Sequence, residues 1–464
     1  MNKHKSNKTY EGAEPLLRRA LEARERALGP DHPDTFTSLN NLGAMLANMG
    51  NFCIIPWVHY NTWPNGNVYQ CCITPATYDH RGRPTNTMGN LSKNTMEEIW
   101  NSNRYKELRT QLLNNEKPNS CTKCYEQEDN GITSFRQNAN NMFRHYIDKA
   151  VNNTNKDGSY DEMKLVYWDF RFSNLCNMKC RMCGGHLSCM WVADENKIYH
   201  RRRPDVSKAN PVVNVADNSI DNIYKILNEN IEYVEEIYFA GGEPLIMDEH
   251  YYILEKLIEH GRTDVRIRYN TNLLKLKYKK WDNLELWKHF DNVNVIASID
   301  SFGARAEYIR KGTVWDIIVN NIKALVQNDN IIFGISPTIQ ILNIHTLTEF
   351  IDKLFELGIT PRSLHLNNVL TGPEHYHINT LRNEDKEYIK QQLIDHANSM
   401  TTDYKKEMQN KYNSIITYMN GTPKPNVYKK FVKLTHKLDV IRNESFDAVF
   451  PELASHYEYA RNIK

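Results

Sequence analysis

Strand-like and helix-like runs of hydrophobic residues alternate through the middle of the chain. Short apolar runs bounded by polar residues or glycine predict strands, and longer stretches with apolar residues every three or four positions predict helices. Six strands are predicted, at 164–172, 236–240, 265–269, 293–298, 331–335 and 364–366. Helices predicted between them include 251–260, 315–327 and 346–357. Strands that alternate with helices in this way indicate parallel βα units and therefore an α/β fold.

The amino-terminal third of the chain follows other patterns. Residues 13–28 and 35–49 have the period of amphipathic helices, with a turn between them. From Phe52 the chain is rich in aromatic residues and asparagine, and two short strands are predicted around the turn formed by Pro64, Asn65 and Gly66. Together with the alternating region, these patterns predict five segments, at 1–51, 52–130, 131–163, 164–372 and 373–464.

Two further elements are predicted before the alternating region, and one segment after it stays without a role. A helix is predicted over 91–114, and a tight loop is predicted to carry Cys121 and Cys124. For residues 131–163 the sequence predicts a helix and a linker. Residues 373–464 are helical material rich in lysine and tyrosine, and their weak periodicity assigns them no function.

Composition excludes some classes of protein. The 464 residues contain 58 Lys and Arg against 56 Asp and Glu, so a net charge of +2 gives no support for nucleic acid as a partner. No apolar run approaches the roughly 18 residues of a membrane span, and the first ten residues are polar. Nine cysteines, an odd number clustered at metal-ligand spacing, fit a reducing compartment better than a disulfide framework. We therefore expect a cytoplasmic protein.

Cys176, Cys180 and Cys183 lie within eight residues, directly after a predicted strand. Four-iron clusters that only transfer electrons usually have four cysteine ligands, so a group of three indicates a cluster with one iron open to another molecule. The alternative is structural zinc, because His186 follows three residues later and would complete a Cys3His set. The spacing alone leaves both open.

A second motif follows the next predicted strand. Gly241 and Gly242 allow the backbone to approach a ligand closely, and Glu243 adds a carboxylate before Pro244. Alone, this sequence is typical of an ordinary turn.

Together the two motifs resemble the radical S-adenosylmethionine (radical SAM) superfamily, with CxxxCxxC after the first barrel strand and GGEP after the second. The resemblance implies a partial (β/α)6 barrel. It implies that Cys176, Cys180 and Cys183 hold a [4Fe–4S] cluster whose open iron is chelated by S-adenosylmethionine. Glu243 and the backbone at Gly241 and Gly242 would receive the amino group of that cofactor.

Polar residues at the ends of later strands add site candidates, because strand ends in a barrel of βα units converge on one face. By the same resemblance, Ser298 and Asp300 match the position that contacts the cofactor ribose. Arg310 matches a basic residue that meets the cofactor carboxylate, for which a planar guanidinium is suited; the alternative is an ordinary surface arginine. Asn270 ends the third strand and faces cofactor or substrate.

Four further cysteine positions predict a second, closed metal site. Cys53, Gly66 and Cys71, followed by the pair Cys121 and Cys124, resemble the twitch and SPASM domains that hold auxiliary iron–sulfur clusters in peptide-modifying radical SAM enzymes. Cys72 is the alternative to Cys71. One departure is the order, because in those families the auxiliary domain usually follows the barrel. A zinc knuckle is the alternative reading.

Residues 13–49 resemble a tetratricopeptide repeat of the kinesin-light-chain type, but they contain a single helix pair. Repeat units normally need about three copies to bury their hydrophobic faces. We therefore interpret residues 13–49 as a fusion remnant, the result of a misplaced gene start, or a small docking element.

The sequence thus predicts an enzyme that cleaves S-adenosylmethionine reductively to a 5′-deoxyadenosyl radical, which abstracts hydrogen from a substrate. A peptide or protein side chain is the first expectation, with flavodoxin or ferredoxin as electron donor. Two alternatives stay open, modification of RNA or a small molecule, and a zinc-stabilised interaction protein without catalytic activity.

Overall fold

The computed structural model describes residues 50–74, 85–129, 133–199, 215–422 and 427–453, with residues 77 and 212 and several residues between 19 and 35. The predicted helix pair at 13–49 lies almost entirely outside the described residues. The chain forms two compact units, residues 1–170 with 215–235 and residues 171–214 with 236–464. None of the described helices is long and apolar enough to cross a membrane.

Strands and α-helices are numbered here in chain order. The strands are β1 (His59–Thr62), β2 (Asn67–Tyr69), β3 (Gly89–Asn90), β4 (Tyr167–Phe170), β5 (Lys179–Cys180), β6 (Glu236–Phe239), β7 (Arg266–Thr271), β8 (Lys277–Tyr278), β9 (Trp281–Asp282), β10 (Val293–Ala297), β11 (Arg310–Lys311) and β12 (Ile331–Ile335). The helices are α1 (Ile55–Val58), α2 (Met96–Trp100), α3 (Asn103–Leu113), α4 (Thr122–Asp129), α5 (Phe135–Met142), α6 (Ile147–Asn153), α7 (Val192–Tyr199), α8 (Val215–Asn230), α9 (Asp248–Glu259), α10 (Asn283–Trp287), α11 (Gly303–Ile309), α12 (Trp315–Val326), α13 (Leu347–Glu356), α14 (Asn383–Ser399), α15 (Thr402–Met419), α16 (Val427–Arg442) and α17 (Phe446–Val449).

In the first unit, the predicted hairpin is confirmed. Strands β1 and β2 pair antiparallel, with Asn61 opposite Tyr69, and β3 extends the pair beyond β2. Gly66 at the turn has a φ of +80°, a conformation that glycine adopts without a steric penalty. Strand β1 also pairs parallel with β4, so both of its edges are satisfied.

Two predictions for the first unit need correction. The single helix predicted over 91–114 is two helices, because Thr95 caps α2 in a capping box and Ser102 caps α3 one residue after α2 ends at Asn101. The tight loop predicted for Cys121 and Cys124 is a 3-10 turn that runs into α4. Their separation of three residues therefore places both thiols on one side of a helical turn.

In the second unit, four parallel strands pair in the order β12-β10-β7-β6. Burial alternates along β7: Ile267, Tyr269 and Thr271 are buried, while Asn270 is exposed. Helices α9 and α10 cover the buried face, since the Tyr269 hydroxyl bonds with His250 of α9 at 2.7 Å and with Trp287 of α10 at 3.0 Å. The opposite face, called the open face below, carries Arg268, Asn270 and Ile332, as the cross-strand register requires.

Most predicted elements of this region are present within a few residues of their predicted ends. The exception is 364–366, which is not a strand: Leu364 makes a single parallel bridge to Ile335. The predicted helical nature of residues 373–464 is confirmed for the described part by α14 to α17. The mostly parallel sheet with helices confirms the α/β class.

Candidate functional site

The three cysteines of the CxxxCxxC motif lie together in the second unit. Cys180 ends β5, which pairs with β11, and the Cys183 amide donates to the Cys180 carbonyl at 3.0 Å. Burial raises the pKa of Cys176 well above its ordinary value, and the nearby charges of Cys180 and Glu243 raise it further. Burial likewise raises the pKa of Cys183 to about 12, with Cys180 adding to the effect.

Cys180 is buried and Cys176 and Cys183 are half-buried, and their raised pKa values fit a site whose charge is completed by a metal cluster. Metal ligation requires thiolates, so binding would release these protons. Among the described residues, no three His, Cys, Asp or Glu side chains lie close enough together to hold a single metal ion. Within the described residues this applies to the Cys3His set with His186 and equally to the two groups of cysteines.

Gly241 and Gly242 hold the backbone of the cysteine loop. The Gly242 amide donates to the Ser173 carbonyl at 3.3 Å, and the next amide, of Glu243, donates to the Leu175 carbonyl at 2.8 Å. A Cβ atom on residue 242 would lie 2.1 Å from the Leu175 oxygen. Gly241 has a φ of +120°, which few other residues adopt. Both glycines are therefore required for the loop before Cys176 to approach the end of β6.

Glu243 is 2% exposed, and three donors fix its carboxylate. The Thr271 hydroxyl donates to Oε1 at 2.6 Å, the Asn272 amide donates to Oε2 at 2.7 Å, and the Leu245 amide donates to Oε1 at 3.2 Å. Burial raises the pKa of Glu243 to about 7, and these hydrogen bonds act in the opposite direction. The carboxyl group is thus oriented and near the midpoint of its titration at neutral pH.

Arg310 is not a surface arginine. Its side chain is 13% exposed and forms a bidentate pair with Asp300, at 2.8 and 3.0 Å. A third nitrogen, Nη1, lies 3.5 Å from Cys180 Sγ. Asp300 also accepts from the Thr338 amide at 2.7 Å. This pair therefore couples the end of β10 to the cysteine motif.

The two remaining candidates lie at neighbouring strand ends. The Asn270 side chain is exposed on the open face. Ser298 follows β10, is half-buried, and donates its amide to the Thr271 carbonyl at 2.8 Å. The sequence interpretation missed Thr271 and Thr338, which hold Glu243 and Asp300. Thr271 is the last residue of β7 and Thr338 lies three residues beyond β12, and these positions at strand ends were the available signal.

The second group of cysteines lies in the first unit. Cys53, Cys71, Cys121 and Cys124 line one cavity, and Cys72 is not among the residues that line it. Burial raises the pKa of Cys71 to about 11 and that of Cys121 to about 12, with the neighbouring cysteines adding to both shifts. Four cysteines around one cavity, two of them buried and two half-buried, fit a closed metal cluster.

Polar groups surround this cavity as well. The Gln70 amide donates to Cys121 Sγ at 3.1 Å, and the Thr74 hydroxyl lies 3.2 Å from Cys71 Sγ. Arg136 also lines the cavity, donates to the Phe52 carbonyl at 2.7 Å and forms an ion pair with Glu128. Hydrogen bonds and charge at the ligating sulfurs are what a protein uses to tune a cluster.

Comparisons with protein families agree with the resemblances expected from the motifs. The radical SAM superfamily matches residues 170–366, and the SPASM family, an iron-sulfur cluster-binding domain, matches residues 53–125. A tetratricopeptide repeat family matches residues 4–52. A search of curated proteins finds no match.

Among solved structures, the chain is similar to one described as "Structure of TYW1 with a lysine-pyruvate adduct bound". The two are 13% identical with a TM-score of 0.22, and the alignment covers 41% of this chain and 59% of that chain. The matched part therefore spans about three fifths of that protein's length.

Proposed function

We propose that this chain, which belongs to the radical SAM superfamily, abstracts a hydrogen atom from a peptide or protein side chain. Membership means that a [4Fe–4S] cluster and S-adenosylmethionine are its cofactors, and the SPASM domain binds additional iron–sulfur clusters. The observation that carries the proposal is the cavity lined by four cysteines, since it resembles the SPASM domains of peptide-modifying enzymes. Family analogy is the warrant for the substrate class.

When bound, the reduced cluster and S-adenosylmethionine supply the one-electron chemistry that generates a 5′-deoxyadenosyl radical. Cys176, Cys180 and Cys183 would hold the cluster. The ionised Glu243 carboxylate would accept the amino group of S-adenosylmethionine, beside the backbone of Gly241 and Gly242.

The remaining candidates would position the cofactor. Asp300 and Arg310 would fix the strand ends around the ribose and carboxylate, with Ser298 beside them. The parallel strands would curve into the partial (β/α)6 barrel, and Asn270 would face the bound molecules from the open face.

The open face supports a substrate that enters from solvent. Ile332 is 59% exposed there, and the Arg268 side chain is 38% exposed. Arg268 and Arg266 share one buried partner, Glu236, at 2.7 and 3.2 Å. A surface that combines an exposed apolar side chain with guanidinium groups suits a segment of polypeptide, which offers both apolar and polar groups.

The auxiliary site would act after hydrogen abstraction. A cluster with four cysteine ligands has no open iron, so it suits electron transfer rather than substrate binding. Cys53, Cys71, Cys121 and Cys124 would hold this cluster, which would supply one-electron transfer, and a flavodoxin or ferredoxin would be the external electron donor.

The alternative of an RNA substrate is not favoured by helices α14 and α15, whereas α16 exposes Lys429, Lys430 and Lys433. Lysines on α14 and α15 pair with acidic residues of the same helix, as Lys390 does with Glu387 and Lys411 with Glu407. Such alternation of charge differs from the continuous basic face that RNA binding requires.

The substrate class can be tested by isotope transfer. The reduced enzyme would be incubated with S-adenosylmethionine and, separately, with the peptide, RNA and small-molecule fractions of fully deuterated cells from the same source. Deuterium should enter 5′-deoxyadenosine from the peptide fraction. Transfer from the RNA or small-molecule fraction alone would refute the proposed substrate class, and absence of 5′-deoxyadenosine altogether would refute the activity.

A further inference from the structure

Helix α16, near the carboxyl terminus, packs directly against the segment that follows the CxxxCxxC motif. Trp191, Ile198 and Leu438 form a buried cluster, and Cys183 packs against it. The sequence interpretation assigned no role to this part of the chain. The contact makes α16 part of the cluster site.

Arg181, between two of the motif cysteines, fastens the loop to the end of this helix. Its side chain is fully buried, and Nη2 donates to Asp439 at 2.5 Å and to Glu444 at 2.6 Å. The guanidinium lies 3.6 Å from the centre of the Tyr308 ring. Its charge is therefore balanced by two carboxylates.

Arg442, the last residue of α16, is held differently. Its side chain is 0% exposed, Nε donates to Asp194 at 2.8 Å, and the guanidinium lies 4.7 Å from the centre of the Trp191 ring. Trp191 in turn donates its indole N–H to the Cys180 carbonyl at 2.5 Å. Arg442 is thus stacked on the side chain that contacts the motif backbone.

The two terminal nitrogens of Arg442 are buried, and within the described parts of the chain neither has a hydrogen-bond partner. Buried donors without partners are costly, and those of a charged group are more so. Trp191, on which Arg442 stacks, donates to the Cys180 carbonyl, and Cys183 packs against the cluster that contains Trp191. The guanidinium is therefore placed where negative charge on the sulfur ligands would stabilise it.

We propose that Arg442 is a positioning residue that tunes the cluster held by Cys176, Cys180 and Cys183, keeping a permanent positive charge on the far side of Trp191 from the motif. Reduction adds one negative charge to the cluster, so a nearby cation stabilises the reduced form and raises the reduction potential. Asp194, which pairs with both Arg442 and Lys179, opposes this effect.

The inference rests on the proposed cluster site but not on the substrate. It is tested by redox titration of the full-length, cluster-loaded protein, followed by electron paramagnetic resonance. Only a cluster with an open iron binds S-adenosylmethionine, so the signal that changes on its addition reports the relevant cluster. The variants are Arg442→Met, Asp194→Asn and, as control, Lys433→Met, which removes an exposed charge from the same helix.

Arg442→Met should shift the reduction equilibrium about tenfold toward the oxidised form, a potential about 59 mV more negative for one electron. Asp194→Asn should shift it in the opposite direction, and Lys433→Met should leave it unchanged. Both test variants break the same ion pair, so a purely structural role would move both potentials in one direction and overturn the inference.

Equal potentials for Arg442→Met and Lys433→Met would also overturn it. If Arg442→Met does not retain the cluster, Asp194→Asn provides the test. The inference requires its cluster to have a higher reduction potential than the wild-type cluster. A wild-type protein with no signal that responds to S-adenosylmethionine would instead refute the cluster site itself.

Discussion

The protonation state of Glu243 controls how well this site can receive an amino group. Its pKa is raised to about 7, chiefly by burial, so the carboxyl is neutral at pH 6 and ionised at pH 8. A neutral carboxyl is a weaker acceptor for an ammonium group than a carboxylate.

Affinity for S-adenosylmethionine should therefore fall as pH decreases through about 7, approaching tenfold per pH unit below it. Glu243→Gln should bind more weakly at pH 8 and lose this dependence. Calorimetric titration of the oxidised enzyme between pH 6 and pH 8.5 measures both. A wild-type affinity that does not vary over this range would contradict the role of Glu243.

Gly242 provides a steric test of the same loop. In Gly242→Ala the new Cβ would lie 2.1 Å from a carbonyl oxygen, so the loop that carries the motif must move. The variant should lose the first cluster, about half of the bound iron, while the four cysteines of the first unit keep their own cluster. Gly50→Ala is the matched control, because its Cβ would meet its nearest neighbour at 3.7 Å. Equal iron content in Gly242→Ala and Gly50→Ala would contradict the steric requirement for glycine at position 242.

At the scale of single residues, the motif residues could be predicted from the sequence, but the residues that hold them in place could not. The cysteines, Glu243 and Arg310 lie in short motifs that carry a family resemblance. Arg442 acts across 248 residues of sequence, through Asp194. No spacing in the local sequence indicates this contact, because Asp194 and Arg442 come together only in the folded chain.

Among the elements, the segment after β2 decides which cysteine serves the second site. Cys71 and Cys72 lie in a turn after β2, and of the two Cys71 lines the cavity. Cys71→Ala should therefore lose the auxiliary cluster, about half of the iron, and Cys72→Ala should keep it. Iron analysis with the absorbance spectrum measures this. Loss of the cluster from Cys72→Ala alone would assign the ligand to Cys72.

Strands and helices of the second unit follow from the hydrophobic pattern, because β7 and β10 bury alternate residues under helices. The errors lie where local capping overrides that pattern. Thr95 and Ser102 split one apparent helix in two, and the cysteine pair that reads as a loop begins α4. Propensity alone does not identify which of several polar residues becomes the cap.

For the whole molecule, the segment at 1–50 should be dispensable. A single helix pair buries little apolar surface, and an isolated repeat contributes little to a folded core. Among the described residues, Asn51 already contacts the rest of the first unit, since its carbonyl accepts from Tyr125 at 3.0 Å. Deletion of residues 1–50 should leave soluble yield, iron content and cleavage of S-adenosylmethionine nearly unchanged. Insoluble protein after the deletion would place this segment within the enzyme's core.

The central claim is that one chain holds two iron–sulfur clusters on separate sets of cysteines. Replacing Cys176, Cys180 and Cys183 together by Ala leaves Cys53, Cys71, Cys121 and Cys124 intact. Metal analysis of this triple variant, purified without oxygen, tests the claim most directly. We predict about half of the wild-type iron, roughly four of eight atoms if both clusters are cubanes. A triple variant with no iron and one zinc per chain would contradict the account.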